Sequence, residues 1–529
     1  MSRAVTEEYE TVISLLADRA ASIGDGPLVH TADRTYSYRD LHRDSNAVAN
    51  TLVDRGIEPG EHVCTFLENR PEYLAAWFGI AKAGAVMVPL NTDLRDDGLA
   101  YVLRDAEPTT IILDNSTRGN YETVRSDERV ETEFLLGEST MGSPYEPFAA
   151  LLDGERAVGP DRTRRGSDPM SIIYTSGTTG KPKGVILPHY SYINTGRVFV
   201  DTVVSSVSGS DHRAFTTLPL SHCNAQQTTV TGSILAASDF ALAAEFDPER
   251  FWDQIRRHDA TVFNYIGTMI TNLHNADERP DDADNPAVFG IGADAPPAVI
   301  DEFEPRFDVQ LVEGYGLTET ATVAALNPID APRRGSIGKP LPWTEIEIVD
   351  EEDRPLPPGE EGEIVVRPLE PNAFMLGYHN QPEGTVDAWQ NLWFHTGDIG
   401  YKDEDGYFYF VDRKAYAIRQ PGGNISSYEV ESVLSDHPDL KEAAVFGVPV
   451  DGGSEAVKAV VVAKPGRTPN PVDIVDYCDG KLAYFKVPRF IDIRDELPKT
   501  TTERVKKYEL MGERNEDVWD RERGYELKR

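Results

Sequence analysis

An eleven-residue run, Tyr174-Thr175-Ser176-Gly177-Thr178-Thr179-Gly180-Lys181-Pro182-Lys183-Gly184, separates two apolar, strand-like segments at 171–174 and 185–187. Its glycines let the backbone take φ > 0 and bring N–H groups close to a ligand. Thr175, Ser176, Thr178 and Thr179 add neutral donors, and Lys181 and Lys183 add positive charge. Such a loop suits a polyanion, most simply a triphosphate. It is not a Walker loop: the G-x-x-x-x-G-K-[ST] spacing fails, and Pro182 removes an N–H that a phosphate-binding helix start would use. A glycine- and threonine-rich surface hairpin is the plainer reading, and the length of the run weighs against it.

Around this loop the pattern is that of a multi-domain α/β chain. With 529 residues, the sequence exceeds one ordinary core. Helical periodicity over 11–21, 40–55 and 73–83 alternates with strand-like runs at 35–38, 61–67, 86–89 and 110–113. That βα alternation predicts mostly parallel sheets covered by helices. The apolar stretch 75–90 is interrupted by Lys82 and reads as a buried helix–turn–strand. From 333 to 410 short alternating strands (345–349, 362–366, 407–411), with turns such as Pro357-Pro358-Gly359, predict an antiparallel or barrel-like lobe. A new segment opens near Asp412, with a helix at 427–435 and strands at 442–448 and 456–462. The domain boundary is placed at 412–415.

Charge narrows the function. The chain carries 89 acidic against 52 basic residues, a formal net charge of −37. Duplex-binding proteins carry the opposite sign, so nucleic acid is not an expected partner. No apolar run is long enough to span a bilayer, and the N-terminus lacks the basic start and apolar core of a signal peptide. Cys64, Cys223 and Cys478 fit neither a zinc site nor a disulfide framework, which points to a reducing, cytoplasmic setting. His222-Cys223 lacks any cysteine-nucleophile context, and Cys223 is expected to be a buried structural thiol.

Four motifs together carry a family resemblance. The run Tyr174 to Gly184 resembles the phosphate loop of the adenylate-forming superfamily: acyl-CoA synthetases, luciferases and amino-acid adenylation domains. Glu313-Gly314-Tyr315-Gly316-Leu317-Thr318-Glu319-Thr320 resembles its Y-G-x-T-E segment, Trp393-Phe394-His395-Thr396-Gly397-Asp398 its T-G-D segment, and Asp412-Arg413-Lys414 its hinge. They stand in the family's order over most of the chain. The segment 412–431 and Phe485-Lys486-Val487-Pro488 look most like the crotonobetaine/carnitine–CoA ligase branch and fatty acyl-CoA synthetases. The resemblance implies an N-terminal AMP-binding domain over 1–411, with two α/β subdomains and a small β-barrel-like lobe. A hinge at 412–415 and a small, mobile α+β lid over 416–529 would follow.

It also implies a reaction and its residues. A carboxylic acid and ATP give an acyl-adenylate and pyrophosphate; coenzyme A then displaces AMP. Thr175, Ser176, Gly177, Thr178, Thr179, Gly180 and Lys183 would surround the phosphates. Mg²⁺ takes oxygen ligands, often one carboxylate plus phosphates; Glu319 and Thr175 match that position, with Thr318 beside them. Glu313, Gly314, Tyr315 and Gly316 match the adenine segment, with Tyr315 stacking and Gly292-Ala293 lining the pocket. Asp398 matches the ribose carboxylate and Arg413 the hinge arginine. His222 matches the border between acyl pocket and α-phosphate, and Gly422 the passage for the thiol arm. A homodimer is compatible with the resemblance.

The chain departs from the pattern in places. The hinge has Ala415 and Tyr416, and the G-G-E run has Pro421 and Gly423 at its first and third places. In Leu497-Pro498-Lys499-Thr500-Thr501-Thr502-Glu503-Arg504-Val505 the usual catalytic lysine is Arg504. Arginine keeps the charge but is planar and longer. Either Arg504 serves, or Lys506 or Lys507 reaches in, or adenylation is slow. A weakened homologue that binds ATP or acyl-CoA as a sensor is the alternative from another class. An adenylation domain is less expected, with no carrier segment after Arg529, and the motifs do not separate a luciferase.

The acidic excess, with arginine ahead of lysine, suggests a high-salt, haloarchaeon-like cytosol. At about 1 M salt the Debye length is only ~3 Å, which screens repulsion between surface carboxylates. The melting temperature is therefore expected to rise steadily from ~0.1 M to ~2 M KCl. A melting temperature that is flat or falls over that range would reject the halophile reading.

Overall fold

The computed structural model describes residues 9–125, 130–138, 143–175, 182–204, 212–414, 416, 418–420, 423–450, 455–499, 505–511 and 518–522. Of the residues singled out above, Ser176 to Lys181, Ala415, Pro421, Gly422 and Thr500 to Arg504 lie outside these. Ten elements frame the site: β1 (Pro169–Thr175), β2 (Lys183–Pro188), α1 (His189–Val198), β3 (Val262–Ile266), β4 (Phe289–Ala293), β5 (Gln310–Tyr315), β6 (Gly377–Tyr378), β7 (Trp393–Lys402), β8 (Phe408–Arg413) and α2 (Ser427–Ser435).

Among the described residues the large N-terminal part holds two mainly parallel sheets. One runs β6, β2, β1, Val86–Pro89, His62–Phe66, Thr110–Asp114, Thr132–Leu136, Glu146–Pro147. Only its β6–β2–β1 edge is antiparallel. The other has β5, β4, β3, Ala214–Thr216, Phe240–Leu242 and Pro27–His30 as its parallel centre, with short antiparallel strands at each end. The expected parallel α/β architecture is what the chain adopts. A third, antiparallel sheet joins Thr344–Val349, Gly362–Pro368, β7, Trp389–Gln390 and β8. The smaller C-terminal part packs α2 on a mixed sheet of Leu440–Pro449, Glu455–Ala463, Phe490–Arg494 and Trp519–Asp520.

Local chemistry explains the boundaries. The helix expected over 40–55 begins earlier, at Tyr38, and runs to Asp54. Ser37 caps it by accepting from Asp40 N, while the Asp40 side chain accepts from the Ser37 backbone N–H. The same cap ends the preceding strand at Ser37 rather than at 38. The 75–90 stretch is a buried helix (Pro71–Ala83) closed by Gly84 at φ +81, then the strand Val86–Pro89. The helix at 427–435 matches α2, and the strands at 442–448 and 456–462 lengthen to Leu440–Pro449 and Glu455–Ala463.

One continuous apolar core runs through both parallel sheets, with Trp77, Tyr192, Phe215 and Phe263 among its members. The C-terminal part has its own, around Val430, Val445, Val461 and Ile491. Inside the larger core Tyr192 of α1 is a polar tie. It shares a hydrogen bond with Ser171 Oγ of β1 (2.7 Å) and donates to Gln226 Oε1 (2.7 Å), so the phosphate-loop strand and the segment after His222 are fixed together.

Candidate active site

The two strands flanking the glycine-rich run are adjacent and antiparallel, with Thr175 opposite Lys183. A short segment, 375–379, binds them to the other parallel sheet. Leu376 N and His379 N donate to Ile186 O (2.8 Å) and Gly184 O (2.7 Å), while Met375 N donates to Glu319 O (2.9 Å). The Tyr378 side chain completes the tie: its hydroxyl donates to Glu319 Oε1 (2.8 Å), and Lys183 Nζ lies 4.8 Å from its ring centroid. Lys183 and Glu319, 136 positions apart in sequence by subtraction, thus meet on one tyrosine. An ammonium over a ring face gains about 0.5–2 kcal/mol, and it leaves its N–H donors available.

The far wall is made by β3, β4 and β5. Gly292 of β4 sits between Tyr265 and Glu313 in register. A Cβ there would stand 2.2 Å from Tyr265 O, so no other residue allows this packing. At the end of β5, Tyr315 donates its hydroxyl to Asp398 Oδ2 (2.7 Å). Asp398, on β7, is almost fully buried, and Arg413 of the paired strand β8 lies 3.2 Å from its Oδ1. Tyr315, Asp398 and Arg413 therefore form one group from three strands. Removing one member of such a buried pair leaves the other charge unpaired, a cost of about 3–5 kcal/mol.

Glu313 projects from β5 into a cavity of about 380 Å³ lined also by Ile300, Asn327 and Arg334. Its carboxylate accepts from the Tyr265 hydroxyl. Partial withdrawal from water, with Asp294 nearby, pushes this carboxyl up to about 8 against that hydrogen bond. Ala293 ends β4 beside it, and Gly314 packs on Leu326 and Ala325.

His222 and the Thr318–Glu319 pair come together across Cys223. The Cys223 thiol lies 3.7 Å from His222 Nδ1 and donates to Thr318 Oγ1 (3.8 Å). Burial alone would raise this thiol, but His222 and hydrogen bonds with Thr322 and Thr318 outweigh it and hold it below the usual range. Cys223 is buried, as expected, yet it is in contact with two of the expected site residues. Just beyond Glu319 the chain takes a strained course: Ala321 and Thr322 have φ +54 and +78. Left-handed non-glycine residues cost of order 1–3 kcal/mol each. Thr195 Oγ1 donates to Ala321 O (2.6 Å), and Thr322 Oγ1 donates to Gln227 Oε1 (2.7 Å), which holds the turn. Gly316 makes room for it, since a Cβ there would meet Thr322 O at 2.0 Å.

The C-terminal part is tied at the end of β8. Asp412 accepts from Ser427 Oγ (3.1 Å) and from the Ser427 backbone N–H, at the start of α2. Lys507 donates to Glu431 Oε1 (2.7 Å) and Ser427 Oγ (2.9 Å), with its ammonium 5.1 Å from the Tyr416 ring centroid. Lys506 pairs with Glu509 (3.4 Å). Both lysines considered as stand-ins are therefore engaged within the C-terminal part.

Tyr378, Thr195 and Gln227 are the contributors that sequence reasoning missed. Tyr378 sits in a two-residue strand, and Thr195 and Gln227 lie inside helices; none falls in a spaced motif.

Comparison with known proteins follows the same lines. A family model described as AMP-binding enzyme matches residues 16–379, and one described as AMP-binding enzyme C-terminal domain matches 429–504. A crotonobetaine/carnitine–CoA ligase of Salmonella choleraesuis (strain SC-B67) is 34% identical over 486 residues, covering 90% of this chain and 93% of its own. The crystal structure of the anthranilate CoA ligase AuaEII in complex with anthranoyl-AMP superposes with a TM-score of 0.85 at 26% identity, over 94% of this chain and 96% of that one. ATP-bound MatB from Rhodopseudomonas palustris gives 0.83 at 29% identity, over 94% and 98%.

Glu313 yields a pH prediction. With its folded pKa raised to about 8, the native state holds a proton that the unfolded chain gives up near 4.5, so stability from this group falls as pH rises between them. Glu313→Gln keeps the uncharged shape and lacks that loss. Its melting temperature should gain on the parent's from about pH 5 to about pH 8.5, by roughly 2 °C or more. A constant difference across that range would contradict the assignment.

Proposed function

The chain belongs to the AMP-binding enzyme family, and on that footing we propose that it is an ATP-dependent acid–CoA ligase. The observation that carries this reading is the meeting of Lys183 and Glu319 on Tyr378, with Glu319 four residues beyond Tyr315, the tyrosine that joins Asp398 and Arg413. A phosphate cation and an oxygen ligand on one side, and a buried carboxylate with an aromatic on the other, are what a bound nucleotide triphosphate demands.

In the first half-reaction an acid carboxylate oxygen bonds to the α-phosphorus of ATP and the bond to the bridging oxygen breaks, releasing pyrophosphate. Lys183, with the hydroxyls and N–H groups of 175–180, would hold the β- and γ-phosphates. Mg²⁺ takes one or two carboxylates plus phosphate oxygens rather than a full protein cage. Glu319, with one oxygen already oriented by Tyr378, and the Thr175 hydroxyl fit that demand. The ion would neutralise charge on the departing pyrophosphate. Asp398 would take the ribose hydroxyls, Tyr315 and the Gly292-Ala293 edge the adenine, and Arg413 the ribose or phosphate side. His222 would border the reacting carboxylate. In the second half-reaction the coenzyme A sulfur bonds to the acyl carbon, the acyl–phosphate C–O bond breaks, and AMP leaves. The division into 1–411, a hinge at 412–415 and a lid over 416–529 would let the lid bring Arg504 for the first half and Gly422 for the second.

CoA-dependent AMP formation tests the proposal, scanned over acids from acetate to palmitate, aryl acids and carnitine, with and without ~2 M KCl. AMP is expected with at least one acid class. Asp398→Ala should lower kcat/KM by about 100-fold or more, and Glu319→Gln should lower kcat by a similar factor. ATP binding without AMP formation from any acid would instead favour the sensor reading. Gly422→Leu should spare pyrophosphate release and abolish thioester formation; equal loss of both would reject Gly422 as the thiol passage.

A further inference from the structure

The wall that faces the 318–322 turn identifies the kind of acid. The π-helix Ala225–Thr231 and the residues beside it bury a row of polar side chains, unusual for a surface meant to hold an alkyl chain. Of the five polar residues in the π-helix, Gln226, Thr229 and Thr231 are paired, while Thr228 Oγ1 meets no partner among the described residues. Gln226 donates to Leu220 O (2.6 Å) and accepts from Tyr192. Asn264 donates to Asn224 Oδ1 (3.1 Å) and accepts from Thr229, and Thr231 donates to Gln226 O (2.9 Å).

Gln227 differs from its neighbour. It is fully buried and its Oε1 is taken by Thr322, but its amide nitrogen meets no acceptor among the described residues. Buried polar groups are almost always satisfied, and an amide nitrogen carries two donors. Its position narrows what could satisfy it. Cys223 and Gln227, four residues apart, both contact the 318–322 turn, through Thr318 and Thr322. His222 precedes Cys223 and lies against its thiol. The unpaired donor thus stands beside the place where, on the reading above, the acid meets ATP.

We infer that Gln227 selects the acid: its amide N–H donates to an oxygen that the substrate carries beyond its reacting carboxylate. The substrate class is then a short hydroxy, oxo or dicarboxylic acid rather than a plain alkyl acid. The same side chain holds Thr322 in its left-handed conformation, so an acid that engages the amide also steadies the turn carrying Thr318 and Glu319. This inference rests on the acid–CoA ligase reading.

Acid-dependent pyrophosphate release tests it with pairs matched in size: pentanoate against 4-hydroxybutanoate, hexanoate against 4-oxopentanoate, and 4-methylpentanoate against succinate. The parent should favour at least one oxygen-bearing member by about tenfold or more in kcat/KM. Gln227→Leu should reduce that preference to about twofold or less; because it also frees Thr322, the quantity read is the kcat/KM ratio between matched acids, which a loosened turn alone would lower equally for both members and leave unchanged. Gln227→Met, close in volume and without an N–H, should lose the preference equally, and a melting temperature for it within a few degrees of the parent's guards against misfolding of the leucine variant. A parent that favours alkyl acids, or variants that keep the preference, would overturn the inference while leaving the ligase standing. Absence of pyrophosphate release with every acid would overturn both.

Discussion

The bridge made by residues 375–379 is the contact on which the site depends. Its backbone bonds Gly184 and Ile186 on one side and Glu319 on the other, and Tyr378 repeats the connection with its side chain. β2 and the turn after β5 belong to separate sheets; Thr195 of α1 also reaches that turn at Ala321 O, but the 375–379 segment is what meets both Lys183 and Glu319. Each bond is ordinary, with a net contribution of about 0.5–1.5 kcal/mol. Their effect lies in geometry: three backbone bonds and one hydroxyl fix a cation and a carboxylate at a common point before any ligand arrives, which is the pre-organisation that phosphoryl chemistry rewards.

The Tyr315–Asp398–Arg413 group obeys a different constraint. Tyr315, Asp398 and Arg413 are held by strand register, Asp398 opposite Arg413 across β7 and β8. Backbone approach does the rest, at Gly292 and Gly316, where any side chain would strike a carbonyl. The strained pair Ala321 and Thr322, just beyond Glu319, is restrained by Thr195 and Gln227. Strain of this sort persists only where neighbours over-determine it.

These features differ in how far the sequence discloses them. Alternation of period announced the parallel sheets and the antiparallel lobe, because buried strands and amphipathic helices each impose a repeat. Tyr315 and Asp398 could be named as candidates because each sits in a contiguous, glycine-containing motif. Tyr378 could not, since its role comes from a two-residue strand adding to an edge, a tertiary event with no local period. Gln227 looks like any polar residue in a helix until burial and the missing partner are seen together. The start of the helix at Tyr38 was misplaced because a capping box outweighed the apolar pattern. In the C-terminal part, Lys507 is engaged with Glu431 and Ser427, a pairing that the spacing from Arg504 does not reveal.

Exchange of labelled pyrophosphate into ATP, with an acid present and coenzyme A withheld, tests the central claim most directly. It reports bond cleavage at the α-phosphorus and nothing downstream. The account predicts exchange that requires the acid, proceeds without coenzyme A, and falls sharply in Tyr378→Ala, which removes the hydroxyl on Glu319 and the ring under Lys183 while leaving the backbone bonds of the bridge. Acid-dependent turnover of ATP to ADP with no exchange, or exchange undiminished in Tyr378→Ala, would contradict it.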